Sequence, residues 1–298
     1  MVNSDRLDSL KVTVVAEDSV LYESPYLGQH GISLLLEARG GDCTRRILVD
    51  VGQNPDALLS NMQAMGIRPA TIDAVVLTHC HYDHTQGLAR ALARIDRGDV
   101  AVIAHPTIFR LHLVAQQHAG QVGSLRHVGV QPADSQSELE KAGARLLLTE
   151  DPFVIMPGIM TTGEVRRRTS YEAMRTPLKT VENGSVVEDT MLDDISVVAQ
   201  VADKGLVIVT GCSHAGIVNI VYQAREITGC DTIHGIIGGL HLVDAPAVVM
   251  RQTVADLSEL KAGWIRAGHC TGFKAQVALS QAFHKQFAPL QTGMRCEV

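Results

Sequence analysis

Thr78-His79-Cys80-His81-Tyr82-Asp83-His84 places three imidazoles and one carboxylate within six consecutive positions, His79 to His84. Neutral imidazole nitrogens and carboxylate oxygens suit zinc, iron or manganese. In an extended or tightly looped backbone, His79 and His81 turn the same way and address one ion. Asp83 and His84 are then free to address a second. The competing picture is a polar loop of solvated histidines. It fits poorly with the apolar run at 72–77 that leads straight into the cluster, because unpaired titratable groups against a hydrophobic strand are expensive. Bound divalent cations are therefore expected, two of them, zinc first and iron or manganese as alternatives. Such a centre lowers the pKa of water from about 15.7 toward neutrality and polarises an acyl or phosphoryl oxygen.

The remaining ligands must come from the second half of the chain. Cys212 and His214 follow the apolar run 206–210, His241 follows 233–237, and His269 follows the short run beginning at Trp264. Glycines flank all three segments and permit close backbone approach. Each histidine alone reads equally well as a packed or surface residue. Three strand ends that each deliver one histidine point instead to a shared rim.

The elements that must position these groups are legible as well. Residues 11–16, 32–37 and 46–51 read as strands, with Gly40-Gly41-Asp42 as a hairpin turn between the last two. Asn54 caps a helix that runs through Pro55 to Gly66, and 72–77 is a buried β-branched strand. A second helix spans Gly87 to Arg97, followed by a strand at 100–104. His105-Pro106 opens a segment expected to be helical to about His118. Strands at 145–148 and 153–155 flank an Asp-Pro turn. Residues 195–201 and 206–210 form a hairpin, and helices are expected at 216–227, 246–260 and 274–287. The stretch 158–194 is charged and turn-rich, and reads as an insertion or lid facing the substrate. Both halves share one plan, strands followed by strand–helix units. The plan fits a single domain over 1–298 that is an α/β, four-layer αββα sandwich of two mixed β-sheets flanked by helices.

Bulk properties narrow the function. The chain has 298 residues, 46% hydrophobic and 19% charged, and a net charge of −6. That describes a folded globule without the basic surface of a dedicated nucleic-acid binder. Arg166-Arg167-Arg168 is the one dense basic run; it is either a solvated loop or, with Arg175 and Lys179, a clamp for an anionic substrate. The first ten residues lack a signal-peptide core and no apolar run approaches a bilayer's span, so a cytoplasmic protein without a membrane partner is expected. Its six cysteines contain no CxxC pair, and Cys80, Cys212 and Cys270 lie within two residues of a histidine, which favours reduced thiols over a disulfide framework. A small-molecule substrate is expected, and a homo-oligomer is the default assembly.

The 78–84 motif resembles the histidine-x-histidine-x-aspartate-histidine signature of the metallo-β-lactamase fold superfamily, and Asp50 fits the aspartate that orients a ligand histidine there. The resemblance covers about residues 11–290. A narrower likeness lies in Thr-Gly-Cys-Ser-His-Ala-Gly-Ile-Val-Asn at 210–219, Gly-Gly-Leu-His-Leu at 238–242 and Gly-His-Cys-Thr-Gly at 268–272. With Thr162-Gly163-Glu164-Val165 and Asp193-Asp194, these resemble the subgroup named for dihydropterin-linked ribofuranosylaminobenzene 5′-phosphate synthase. The resemblance implies His79, His81, Asp83, His84 and His269 as metal ligands. A common member also has a histidine before the 195–210 hairpin and a bridging aspartate after it. This chain has Asp193-Asp194 before the hairpin and Cys212 with His214 after it, and no histidine between His127 and His214. His214 is expected to replace the absent histidine, with Asp194 the acidic candidate; Cys212 either ligates or packs beneath the site.

The expected activity is metal-dependent hydrolysis, or phosphoryl or ribosyl transfer, on an anionic, pterin-linked phosphoester, ester or lactone. Asp83 would orient the nucleophile, and His241 would stabilise an oxyanion or protonate the leaving group. Two other classes compete: a di-iron redox protein of the same fold, and a ligand-binding protein with a vestigial metal site.

Overall fold

The computed structural model describes residues 6–115, 124–174 and 177–298. Two seven-stranded sheets form its centre. The first begins as an antiparallel meander of Ser9–Ala16, Ser33–Gly40 and Cys43–Val49, then turns parallel through Ala74–Val76, Val100–Ala104 and Ala144–Leu148. The second repeats that order: Val154–Met156, Ile159–Thr161, Val197–Val201 and Gly205–Val209 are antiparallel, and Ile233–Gly239, Trp264–Gly268 and Phe287–Pro289 continue in parallel. A last strand, Arg295–Glu297, closes the edge of the first sheet against Ser9–Ala16.

Alternation along the strands sets the layers. Val12, Val14, Leu34, Leu36, Ile47 and Val49 face Val197, Ala199, Val207, Val209 and Ile237 across the inter-sheet core. The intervening residues Leu35, Leu48, Val75 and Val102 face outward onto Leu58, Met62, Leu88 and Leu92 of the helices Pro55–Ala64 and Leu88–Ile95. On the other side Leu206, Ile208 and Ile236 meet Ile217, Val221, Leu257 and Leu279 of Ile217–Thr228, Ala247–Glu259 and Phe273–Phe283. The result is the expected four-layer αββα sandwich. No helix of the described residues is long and apolar enough to cross a membrane. All six cysteines are free thiols.

Three segments depart from the sequence reading. After His105 there is one 3-10 turn, Pro106–Phe109, and then a strand, Leu113–Ala115, rather than a helix. The strands on either side of the Asp151-Pro152 turn belong to different sheets, so that turn is the crossover between them. The stretch 158–194 is more regular than its composition suggests. Ile159–Thr161 joins the second sheet, and Leu178–Glu182 with Ser185–Glu188 forms a hairpin. That hairpin pairs with Leu113–Ala115 and Leu125–His127 in a third, four-stranded sheet. Its turn is Asn183-Gly184, both at positive φ, 50° and 77°, as a two-residue hairpin of right-handed twist requires.

A buried ionic cluster anchors this small sheet. His112 Nδ1 and Arg110 both bond the Asp189 carboxylate, and Met191 N donates to it at 2.9 Å. Burial opposes both charges, yet His112 holds Asp189 below its ordinary 3.8 and Asp189 lifts His112 above 6.5. The stabilisation from Asp189 is complete above its unfolded pKa and is lost as pH falls through the depressed folded value. That from His112 is complete below 6.5 and is lost as pH rises through the raised folded value. Asp189→Ala, which strands a buried imidazolium, is expected to cost about 3 kcal/mol of unfolding free energy near pH 6. Urea titrations of both proteins measure this; an unchanged midpoint would mean that the cluster contributes nothing.

Candidate metal centre

Parallel strands bring distant residues to one rim. Gly205–Val209, Ile233–Gly239 and Trp264–Gly268 run side by side in the same direction, so the segments after them all emerge at one edge of the second sheet. Ala74–Val76 delivers the 78–84 loop to the same place. His79 lies 4.9 Å from His214 between ring centroids, and His84 lies 5.2 Å from His269.

Asp50 organises the loop from beneath. It follows the strand Cys43–Val49 in the left-handed region at φ 56° and is fully buried. Its Oδ1 accepts from Thr78 N at 2.8 Å, and its Oδ2 accepts from Thr78 Oγ1 at 2.6 Å and lies 2.7 Å from His84 Nδ1. The last contact fixes the tautomer of His84 and aims Nε2 into the site. Gly211 completes this arrangement, since a Cβ there would lie 2.0 Å from Thr78 Oγ1. The Asp193-Asp194 pair braces the two loops: Asp193 Oδ2 accepts from Cys80 N at 2.7 Å and Asp194 Oδ2 from Ala215 N at 2.8 Å. Burial pushes the Asp194 carboxyl up to about 7. These contacts give Asp194 a role in holding the His214 loop.

Two donor sets are evident. In the first, His79 Nε2 lies 3.1 Å from His81 Nδ1, and ligand atoms of His79, His81 and His214 all fall within 4.8 Å of one another. Burial drives the pKa of His81 down to about 4 and those of His79 and His214 well below the usual value, so all three are neutral and open to a cation. Both nitrogens of the buried His214 lack a hydrogen-bond partner among the described residues. Two bare imidazole nitrogens in a dry site are costly unless something binds them.

The second set gathers around His84 and Asp83. His84 Nε2 lies 3.5 Å from Asp83 Oδ2, 3.4 Å from His269 Nε2 and 3.2 Å from Cys212 Sγ, and Asp83 Oδ2 lies 3.1 Å from His269 Nε2. A tetrahedron with metal–ligand bonds of about 2.0–2.3 Å has edges of roughly 3.3–3.8 Å. The 3.4 and 3.5 Å separations fall within that range, and the 3.1 and 3.2 Å separations are slightly shorter. Burial disfavours the Asp83 carboxylate, but His84 and His269 outweigh it and hold the group well below the carboxylate range.

Glu17, Asp18 and His30 join the site without having been announced by the sequence. Asp18 Oδ2 lies 2.8 Å from His269 Nδ1 and Asp18 Oδ1 lies 3.0 Å from His30 Nδ1, so it aligns His269 as Asp50 aligns His84. Glu17 Oε1 accepts from His269 N at 2.5 Å. The one available signal was position: Glu17-Asp18 directly follow a strand, as Asp50 does. Cys270 Sγ bonds the carbonyl of Cys212 and accepts from His241 N. His241 stands 4.1 Å from His214 between centroids, and its donor atom groups with those of Cys212 and His214.

The basic residues are distributed differently from the clamp the sequence suggested. Arg166 and Arg168 pair with Glu226 on the helix Ile217–Thr228. Arg167 bonds the carbonyls of His214 and Thr190, bracing the His214 loop from outside. Lys179 pairs with Glu188 across its hairpin. All four are satisfied by local carboxylates or carbonyls and are absent from the lining of the cavity, and Arg175 lies outside the described residues. That cavity, about 340 Å³, opens over the two donor sets, with Asp83, His214, His241 and His269 on its floor, Val114, Val128, Leu178 and Val243 on its walls, and Arg126 as its basic residue.

The family model of the metallo-beta-lactamase superfamily matches residues 33–143. The chain is 36% identical over 296 residues to the 7,8-dihydropterin-6-methyl-4-(beta-D-ribofuranosyl)-aminobenzene-5'-phosphate synthase of Methanocaldococcus jannaschii, covering 98% of each protein. A second, uncharacterised protein of that organism is 33% identical over 264 residues, 89% of this chain and 92% of its own. A solved metal-dependent hydrolase of the beta-lactamase superfamily shares the fold, with a TM-score of 0.79 at 22% identity over 97% of this chain and 99% of that one.

Proposed function

The chain belongs to the metallo-β-lactamase superfamily, and on that premise we propose that it is a metal-dependent enzyme acting at a phosphoryl or acyl centre of a small anionic molecule. Its cations are held by His79, His81 and His214 on one side and by Asp83, His84, His269 and Cys212 on the other. The observation that carries this reading is the convergence of donor atoms from distant strand ends, 3.1–3.5 Å apart in the second set, beside a buried His214 whose two nitrogens have no hydrogen-bond partner among the described residues. Imidazole, carboxylate and one thiol favour zinc, with iron or manganese as alternatives. Such cations supply Lewis acidity and water ionised near neutral pH.

The chain's own residues supply the rest. Asp83, with its carboxylate between His84 and His269, orients the nucleophile as well as binding. His241 faces the cavity beside His214, in the left-handed backbone region at φ 43° and anchored by its N–H on Cys270 Sγ. From there it protonates a leaving group or steadies a developing oxyanion. The apolar walls exclude bulk water and so strengthen each polar contact on the floor.

Hydrolysis is the first reading. Transfer to an organic acceptor is the second, favoured by the near full-length relationship to a synthase, whose name also supports a pterin-linked phosphate as substrate class. The test is turnover by the zinc-loaded protein on phosphomonoesters, phosphodiesters and lactones, with and without aromatic amine acceptors, beside metal analysis. No turnover on any of them would remove the enzymatic reading. His241→Ala is expected to lower turnover roughly a hundredfold or more with metal content unchanged. Loss of a cation in that variant would instead make His241 a ligand.

A further inference from the structure

We propose that Arg126 is the specificity-determining residue of this cavity: it receives a negatively charged group of the substrate apart from the reacting centre, with an apolar segment lying between. The inference rests on the reading that the cavity over the donor sets is the substrate site. Strand register carries the placement. Leu125–His127 pairs antiparallel with Leu113–Ala115, opposing Arg126 to Val114, and Leu113–Ala115 pairs onward so that Val114 opposes Leu178. Directly opposed residues share a sheet face. Leu178, Val114 and Arg126 therefore form one row, and all three line the cavity.

The row is fastened to the metal-binding loop. Tyr82 N donates to Val128 O at 2.9 Å, which locks the edge strand beside the loop. The Arg126 guanidinium carbon lies 5.7 Å from the Tyr82 ring centroid. A guanidinium held near an aromatic ring rather than in an ion pair keeps N–H groups free, and these match a carboxylate or phosphate in a two-point bond. Among the described residues Arg126 makes no ion pair, whereas Arg110, Arg166 and Arg168 are each engaged by a carboxylate. Arg126 is exposed at the mouth, while the donor sets lie at the floor. Val114, Leu178 and Val243 line the same cavity, so a ligand that reaches from the donor sets to Arg126 is expected to lay an apolar segment against them.

The test separates Arg126 from the metal centre. Phenylphosphonate and 4-carboxyphenylphosphonate, each also as its biphenyl homologue so that reach is not limiting, are titrated calorimetrically into the zinc-loaded protein. None of the four is turned over. The phosphonate engages the floor in every case, and only the carboxylated member of each pair has a group for Arg126. The wild type is expected to bind the better-fitting carboxylated probe roughly tenfold more tightly than its partner. Arg126→Gln is expected to abolish that preference and to leave the uncarboxylated probes within about twofold; Arg126→Lys keeps part of it. A preference that survives in Arg126→Gln, or is absent from the wild type, overturns the assignment and leaves the metal-centre reading standing. If no phosphonate binds the zinc-loaded protein at all, both fall together.

Discussion

His81→Ala is expected to lose about one cation per chain and to lower turnover by roughly a thousandfold or more. His81 Nδ1 lies 3.1 Å from His79 Nε2, and one ring nitrogen each of His79, His81 and His214 fall within 4.8 Å of one another. Burial keeps the pKa of His81 near 4, so at neutral pH no proton competes with a cation for its ligand nitrogen. Alanine leaves His79 and His214 as the nearest members of a three-donor set, and two imidazoles bind a divalent ion far more weakly than three. Loss of the first cation also removes a charge that helps hold Asp83 and the nucleophile in register, so the loss in turnover should exceed the loss in occupancy. Elemental analysis beside initial rates measures both quantities, and circular dichroism establishes that the variant is folded. A folded variant with its full complement of metal would remove His81 from the ligand set. The same analysis of the unaltered protein distinguishes zinc from a di-iron pair.

The convergence of the candidate donors was legible in the sequence wherever its parts were local or repeated. Four donor residues in six positions need no tertiary structure to be noticed. The histidines at 214, 241 and 269 were legible because parallel strands share a direction, and an apolar run that ends in glycine and histidine three times over implies one edge. What escaped was non-local. Asp18 and His30 lie in a loop with no cluster of their own, and they matter because the first strand of the chain runs beside the rim where His269 emerges. Arg126 is an isolated cation in a polar stretch; only its register against Val114 and Leu178 turns it toward the cavity. The Arg166–Arg168 run attracted attention by density alone, although Glu226, sixty and fifty-eight residues away, had already claimed two of its members. The Asn183-Gly184 hairpin was a local signal of a standard kind, masked by the charged residues around it. The closing strand Arg295–Glu297 had no such signal. It is three residues long, and it is a strand because an edge of the first sheet was open beside it.

Asp50→Ala should be the most damaging single change outside the ligands themselves. The Asp50 carboxylate is fully buried and holds together three elements: its own strand end, the start of the 78–84 loop through Thr78, and His84. Without it, the Thr78 N–H and the His84 Nδ1–H lose their acceptor in a place water does not reach. Each stranded donor costs about 1–3 kcal/mol, so a loss of roughly 4 kcal/mol in unfolding free energy is expected. The second effect concerns the cation. A ligand imidazole with an oriented carboxylate behind it is a stronger and better-aimed donor than one without, and removing such a partner costs about 10–100-fold in metal affinity. Asp50→Asn separates the two effects. Asparagine keeps the shape and an oxygen for the Thr78 N–H but carries no charge toward His84, so stability should largely recover while the affinity of the second cation stays low. Denaturant titration of the metal-free proteins reads the first effect, and competition with a chromogenic chelator reads the second. Wild-type metal affinity in Asp50→Asn would show that His84 needs no anionic partner to bind.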